Sequence, residues 1–455
     1  MKGKILDKIF SRMPASVMDV ARRLKQSGYA VWLVGGAVRD HLLGVTPADW
    51  DFSTDAPPEA VLKALSPPCR MVTFGLSHGT LLAVTPEGPV EITSWAFKGQ
   101  GGLRKDLERR DFTINAVAVG YPDGALLDPF GGLQDLAAGR LRGVVDPLER
   151  FREDPLRPLR AARMVSRYGF RVSPKTEAAM RQAAPWLGRA AMERIREEIW
   201  KLLTGPHVMA GLDLCRRSGL MAVFLPELLE GWRKKQNHYH RHDIYRHTLL
   251  SVHYSPARLR VRLAALLHDI GKPRVRQKIR GIFRFYGHET HSAQMASEIL
   301  GRWLAPKRLT EEVVTLVANH MVHSTDAWKD GAVRRLIHRV GEPLLEDLLD
   351  LLRADRLAHG IDEPSLEAVE RLRVRMRRIV EEKPPLTRQA LAINGRDVMA
   401  VTGVPQGPKV GEILTEAFHM VLKDPSRNDR AFLLDWLKRR SAVQENALSE
   451  TGAAT

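Results

Sequence analysis

The hydrophobic period changes once along this chain, and that change limits what it can fold into. Up to about residue 147, short β-branched or alternating runs (YAVWLV, GTLLAV, PVEITSW, AVAVG) lie between turn residues, as in a sheet with a few helices. From Leu148 onward apolar residues recur at three and four. The clearest cases are PLRPLRAARMVSRYG, AAMERIREEIWKLLTG and EPLLEDLLDLLRADRLAHG. The pattern predicts an α+β chain: a small head with a mixed sheet and helices, then an all-helical remainder. With 455 residues the chain exceeds what one hydrophobic core usually organises, so several domains are expected. The Gly-rich stretch GGLQDLAAGRLRGVVDP marks one break, and Pro384 and Pro385 stop a helix after Val380. The final SAVQENALSETGAAT has no periodic apolar face and is expected to be disordered.

The 70 Lys and Arg against 53 Asp and Glu give a formal charge of +17, which favours a polyanionic partner, nucleic acid first. No run of 18 apolar residues occurs and the start, MKGKILDKIFSRMP, is too charged for a signal peptide. The expectation is a cytoplasmic protein without a membrane partner. Only Cys69 and Cys215 are present, so a disulfide framework is not expected and a cysteine-ligated zinc site is excluded by count. Any metal must sit on carboxylates and histidines. No pattern in the sequence specifies an oligomeric state.

After YAVWLV come Gly35 and Gly36 and then the helix-like AVRDHLLG, so backbone N–H groups and a helix N-terminus can face an anion. Alone, such a pair is ordinary turn chemistry. In ADWDFST, however, Asp49 and Asp51 are two apart, and on a strand residues i and i+2 share a face. Two carboxylates meeting one site need a compensating cation, and two-metal phosphoryl transfer uses Mg²⁺ in that setting. Glu91, in VEITSW, is either a third carboxylate from a neighbouring strand or a surface residue. Arg109, Arg110 and Asp111 open RRDFTINAVAV, two guanidinium forks and an acceptor suited to phosphate and a ribose hydroxyl, or a charged surface turn.

The series LVGGAVRDHLLG, DWD, RRDFTINA and DPFGGLQDL resembles the class II nucleotidyltransferase family, which comprises bacterial tRNA CCA-adding enzymes and poly(A) polymerases. The resemblance implies a nucleotidyltransferase head over 1–142, a base-recognising neck over 143–205, a body over 206–375 and a tRNA-binding tail over 376–440, with 441–455 disordered. It assigns Gly35, Gly36 and Arg39 to the triphosphate, and Asp49 and Asp51 to Mg²⁺, with Glu91 completing the catalytic set. Arg110, Asp111 and Asn115 go to sugar and phosphates, Arg160 and Arg163 also to the nucleotide. Asp128 and Gly131 look like a hinge between head and neck.

In FREDPLRPLRAARMV, Glu153 and Arg157 are four apart and Asp154 and Arg157 three apart, which on one helix places them on a shared face. The plain reading is a surface ion pair. The sharper one is that Asp154 only accepts and Arg157 only donates, matching an exocyclic amine beside a ring-nitrogen acceptor. Cytosine and adenine present that edge; uracil and guanine present the reverse. The segment is similar to the family's EDxxR motif, which implies that Asp154 and Arg157 select CTP and ATP. Glu193 and Arg194, in ERIREEIWKLL, resemble a family helix that braces the neck.

Of 16 histidines, 11 lie between His238 and His338. His268 and Asp269 in LAALLHDIGKP, with His247, His288, His320 and Asp355, form a set suited to a divalent transition metal that activates water for phosphoester hydrolysis. The order resembles the HD phosphohydrolase superfamily. It implies His247, His268, Asp269 and Asp355 as principal ligands and His288 and His320 as completing a second position, with His291 and His323 as substitutes or bystanders. Some bacterial tRNA nucleotidyltransferases carry such a domain, with phosphatase or 2′,3′-cyclic phosphodiesterase activity in some members.

One departure concerns specificity. CCA-adding relatives usually have a longer insertion between the strand of Glu91 and the RRD motif, whereas only ITSWAFKGQGGLRKDLE stands here. The same shortening is typical of relatives that add only two cytidines, so CC addition to tRNA ranks above complete CCA addition with ATP. Poly(A) polymerase ranks lower because CRMVTFGLSHGTLLAV lacks a basic and aromatic RRF-type stretch. The readings from other classes are an HD hydrolase acting on RNA ends, with a head that only holds RNA, and a catalytically silent RNA-binding scaffold.

Overall fold

The computed structural model describes residues 9–47, 49–67, 69–73, 79–96, 101–237, 240–322, 328–360 and 364–452. The chain divides into two compact units, Met1–Leu229 and Glu230–Thr455.

Unit one contains the helix Ala15–Gln26, whose buried Val17, Val20, Ala21 and Leu24 fall at the helical period and form one apolar stripe. The strands are β1 (Val31–Val34), β2 (Trp50–Thr54), β3 (Arg70–Val72), β4 (Thr80–Thr85), β5 (Gly88–Ser94), β6 (Ala118–Tyr121) and β7 (Leu126–Leu127). They make one mixed sheet in the order β3-β4-β5-β2-β1-β6-β7. Only β2 and β5 run parallel, with Asp51 opposite Glu91. A parallel pair needs a long crossover, and here it is supplied by the helix Pro58–Leu65 with β3 and β4. Leu33, Phe52, Leu81 and Ile92 are fully buried in the core of the sheet.

The Gly-rich stretch expected to break the chain is built into the fold. Asp128 accepts from the backbone N–H groups of Gly132 and Leu133 at 2.7 and 3.0 Å and so caps the helix Gly132–Ala137. A Cβ on Gly132 would stand 2.1 Å from the Thr113 carbonyl oxygen, so only glycine allows that approach. Residues 140–141 then pair in parallel with 171–172. Further helices follow at Pro147–Glu153, Arg157–Tyr168, Pro174–Ala183, Met192–Leu203 and Val208–Arg217.

Unit two contains Ile244–Tyr254, Leu259–Leu267, His288–Arg302, Lys307–Ala318, Asp330–Val340 and Leu345–His359. Leu259–Leu267 is buried on every side from Val261 onward, as befits a helix that is apolar nearly all round. The expectation of an all-helical remainder needs correction at a hairpin, Gln277–Ile279 with Ile282–Arg284. Its two-residue loop has positive φ at Arg280 (49°) and Gly281 (81°), the geometry that matches strand twist. The tail has its own apolar cluster around Val398, Ile413, Phe418 and Leu433. Its last helix runs from Arg430 to Gly452, through most of the stretch expected to be disordered. Ala, Gln and Glu there are good helix formers even without an apolar face.

Candidate active site and metal centre

In unit one a cleft of about 410 Å³ is lined by Gly35, Gly36, Arg39, Asp49, Asp51, Glu91, Arg109, Arg110, Asp111, Asn115, Arg157, Arg160 and Arg163. Residues spread over more than a hundred positions thus share one space. Asp51 lies within β2 while Asp49 stands just before it and is exposed. Both still reach the cleft, and Glu91 joins them from β5. Burial first, then the charge of Glu91, push Asp51 up to about 6, against the pull of Arg110. The three carboxylates repel one another and supply only oxygen donors, which fits a hard cation such as Mg²⁺.

Gly35 has φ 74° and ψ −137°, a region essentially closed to other residues. A Cβ there would lie 2.5 Å from Arg110 Nη1 and 3.0 Å from Asp51 Oδ2. The glycine therefore lets a guanidinium and a carboxylate crowd against the backbone. Arg39 donates from Nη1 to Asn115 Oδ1 at 2.6 Å, and Asn115 Nδ2 donates to Asp111 Oδ1 at 2.8 Å. Burial opposes ionisation of Asp111, yet Arg160 and the Asn115 amide hold it below the usual carboxylate range. Arg163 pairs with Glu198 at 3.0 Å. Asp40, Asp106, Glu198 and Lys201 also line the cleft and escaped the sequence reading. Asp106 follows no motif, and in the helix carrying Glu198 and Lys201 the family resemblance falls on Glu193 and Arg194.

The premise of one continuous helix through Asp154 and Arg157 is corrected. One helix ends at Glu153, Asp154 caps it in extended conformation, and the next begins at Arg157. Pro155 and Pro158 explain the interruption, since each lacks an N–H and restricts its predecessor. Asp154 is not among the residues lining the cleft and pairs with Arg194 at 3.1 Å. Arg157 does line it, and donates to the carbonyls of Arg150 at 3.0 Å and Arg109 at 2.8 Å.

In unit two, the apolar helix Leu259–Leu267 ends directly at His268 and Asp269. Asp269 Oδ2 faces His268 Nε2 at 3.2 Å and His247 Nε2 at 3.3 Å, while its Oδ1 faces His288 Nε2 at 3.3 Å and His320 Nε2 at 3.7 Å. Asp355 Oδ1 is 3.0 Å from His247 Nε2 and 3.5 Å from His268 Nε2. All six predicted residues therefore meet, arranged as two sets around one bridging carboxylate. His291 joins neither group, and His323 lies outside the described residues. His268, His288 and His320 each place Nδ1 at 2.7–2.8 Å from the carbonyl three residues back, which turns Nε2 inward. His247 Nε2, His268 Nε2 and Asp269 Oδ1 are buried without a hydrogen bond. Inward imidazole nitrogens around buried carboxylates fit a nitrogen-loving divalent metal. Burial pulls His268 down, but Asp269 and Asp355 together push it up to about 10, so in this arrangement a proton stands where a cation would go. Lys272, 2.6 Å from Asp269 Oδ2, and the pair His240 and His359 belong to the same cluster and were not singled out as ligands.

Comparison with known proteins finds three family domains along the chain. Residues 31–142 match the Poly A polymerase head domain, 169–231 the probable RNA and SrmB-binding site of polymerase A, and 243–360 the HD domain. Over 426 residues the chain is 36% identical to the A-adding tRNA nucleotidyltransferase of Deinococcus radiodurans, covering 89% of this chain and 95% of that one. The chain belongs to the class II tRNA nucleotidyltransferase family. Another tRNA nucleotidyltransferase, the CC-adding enzyme of Thermus thermophilus, is 34% identical over 90% of this chain and 94% of its own length. The solved structure of the Bacillus stearothermophilus CCA-adding enzyme in complex with CTP superposes with a TM-score of 0.71 at 30% identity, covering 96% of this chain and all of that one. As a tRNA nucleotidyltransferase the chain is an enzyme, and among the described residues no helix is long and apolar enough to cross a membrane.

Proposed function

We propose that this enzyme adds two cytidines from CTP to the 3′ end of tRNA without a nucleic-acid template, in the cleft of unit one. The observation that carries the reading is the convergence of Asp49, Asp51 and Glu91 with Arg39, Arg110, Arg160 and Arg163 in one cleft. Asp49 and Asp51 would hold Mg²⁺, with Glu91 beside them. Bound there, Mg²⁺ lowers the pKa of the RNA 3′-hydroxyl and offsets charge on the leaving pyrophosphate. The hydroxyl oxygen forms a bond to the α-phosphorus as the bond to the β-phosphate breaks. Arg39, Arg110, Arg160 and Arg163 and the backbone at Gly35 and Gly36 hold the triphosphate as it does so. Asp111 and Asn115, locked to each other, position the sugar. Asp154 and Arg157 select the base; Arg194 would have to share or release Asp154 when CTP arrives.

Two cytidines rather than a full CCA end is supported by the short segment between Glu91 and Arg109, whose residues 97–100 lie outside the described part. Complete CCA addition with ATP is the runner-up. The finer division of the chain into head, neck, body and tail, the tail gripping tRNA, belongs to the same proposal, as does a cytoplasmic location. A second activity, metal-dependent phosphohydrolysis of RNA ends, is favoured by the two ligand sets around Asp269 in unit two. The direct test is Asp51→Ala. Addition should fall at least a thousandfold with tRNA affinity within twofold of wild type; retained addition would remove Asp51 from the reaction.

A further inference from the structure

Beyond the six ligands around Asp269, we infer that the histidine centre of unit two has a third divalent-metal position, held by His240, His359 and the shared carboxylate of Asp355. The inference rests on reading that centre as metal-binding.

His240 Nδ1 donates to Asn237 Oδ1 at 2.8 Å. That bond places the ring's proton on Nδ1 and leaves Nε2 as a bare lone pair, buried and without a hydrogen-bond partner. In His268, His288 and His320 the same kind of Nδ1 bond turns Nε2 toward the centre. His359 lies four residues after Asp355 at the end of the helix Leu345–His359, so the two share a face. Its Nε2 is 3.4 Å from Asp355 Oδ1. The rings of His240 and His359 are 4.2 Å apart, and each lies about 5 Å from His247. One donor atom from each of these three histidines falls within a common 4.8 Å.

The chemistry separates a metal from the other occupant such a corner could take, a phosphate. A bare imidazole nitrogen accepts and cannot donate, so it repels a phosphoryl oxygen and attracts a cation. The neighbouring ammonium of Lys272 does not fill the role, because it is held by Asp269 at 2.6 Å and Gln236 at 3.0 Å. Two imidazoles and one carboxylate suit Zn²⁺ or a similar ion rather than Mg²⁺. Asp355 Oδ1 already faces His247 and His268, so the third ion shares a ligand and fills after the other two. Its coordination is incomplete from protein alone, which leaves positions open for a phosphoryl oxygen of a substrate.

The test is crystallography of the full chain with saturating Zn²⁺, locating ions by anomalous scattering at the zinc edge. Three peaks are expected within the cluster, one of them between His240 and His359. His240→Gln and His359→Gln should each lose that peak and keep the other two, which also shows that the fold persists. Two peaks in the wild type, or a third that survives both substitutions, would overturn the third position and leave the metal reading of the centre standing. No peak in the cluster would overturn both.

Discussion

Asp51 must be ionised to hold a cation, yet burial and the charges of Glu91 and Asp49 push it up to about 6. The sign of the consequence follows from linkage. Between the ordinary 3.8 and about 6 the folded chain keeps a proton that the unfolded chain has lost, so raising the pH through this window removes stability. Above it the metal-free protein carries the whole cost, on the order of 3 kcal/mol. Asp51→Asn should therefore raise the melting temperature at pH 7.5 in the absence of Mg²⁺ while abolishing addition; calorimetry that finds it less stable would contradict the charge crowding. For the wild type, Mg²⁺ affinity at this cleft should fall steeply below pH 6, measured by titration calorimetry. Gly35 gives the complementary prediction. Gly35→Ala forces a side chain into a closed backbone region and against Arg110, at a cost of roughly 1–3 kcal/mol. Its kcat/KM for CTP should drop at least a hundredfold. The motif residues were legible in the sequence because their types and spacing carry chemistry. Asp106, Glu198 and Lys201 were not, because single charged residues on a helix look alike until packing decides which face the cleft.

The helix Arg157–Tyr168 bears Arg157, Arg160 and Arg163 and has to be held at a fixed depth. Two glycines set that depth. A Cβ at Gly205 would lie 2.2 Å from Ser166 Oγ, and one at Gly211 would lie 2.9 Å from the Ala162 carbonyl oxygen. Gly211→Val should thus displace the helix, costing about 1–3 kcal/mol in stability by overpacking and raising KM for CTP more than tenfold. Unchanged KM would mean that the arginines do not depend on this contact. Helices with an apolar stripe are readable in the sequence, whereas the pairing of Asp51 with Glu91 is one of two readings the sequence leaves open for Glu91. The break at Asp154 is invisible to a three-residue spacing alone, and only Pro155 and Pro158, which flank the turn, signal it. The hairpin at Gln277–Arg284 was missed for a different reason: its strands are three residues each, too short for a periodic signal, leaving only the Arg280–Gly281 turn as a clue.

A charge of +17 over 455 residues acts on the whole tRNA rather than on one nucleotide. Affinity for tRNA should therefore fall steeply with salt, by a hundredfold or more between about 50 and 200 mM, the range expected when several phosphates are neutralised. A flat salt profile in filter binding would argue against broad phosphate contact. The two units, Met1–Leu229 and Glu230–Thr455, separate the two chemistries: oxygen ligands suited to Mg²⁺ in the first, nitrogen-rich ligands in the second. Replacing both His268 and Asp269 with Ala should leave the number of nucleotides added unchanged while removing tightly bound transition metal.

The most direct measurement supplies the purified enzyme with Mg²⁺, labelled CTP or ATP, and tRNA ending either at the discriminator base or after CC, and resolves products to single nucleotides. Two cytidines on the first substrate and no adenosine on either are expected. Adenosine added to the CC end, or long adenosine tails, would contradict CC addition.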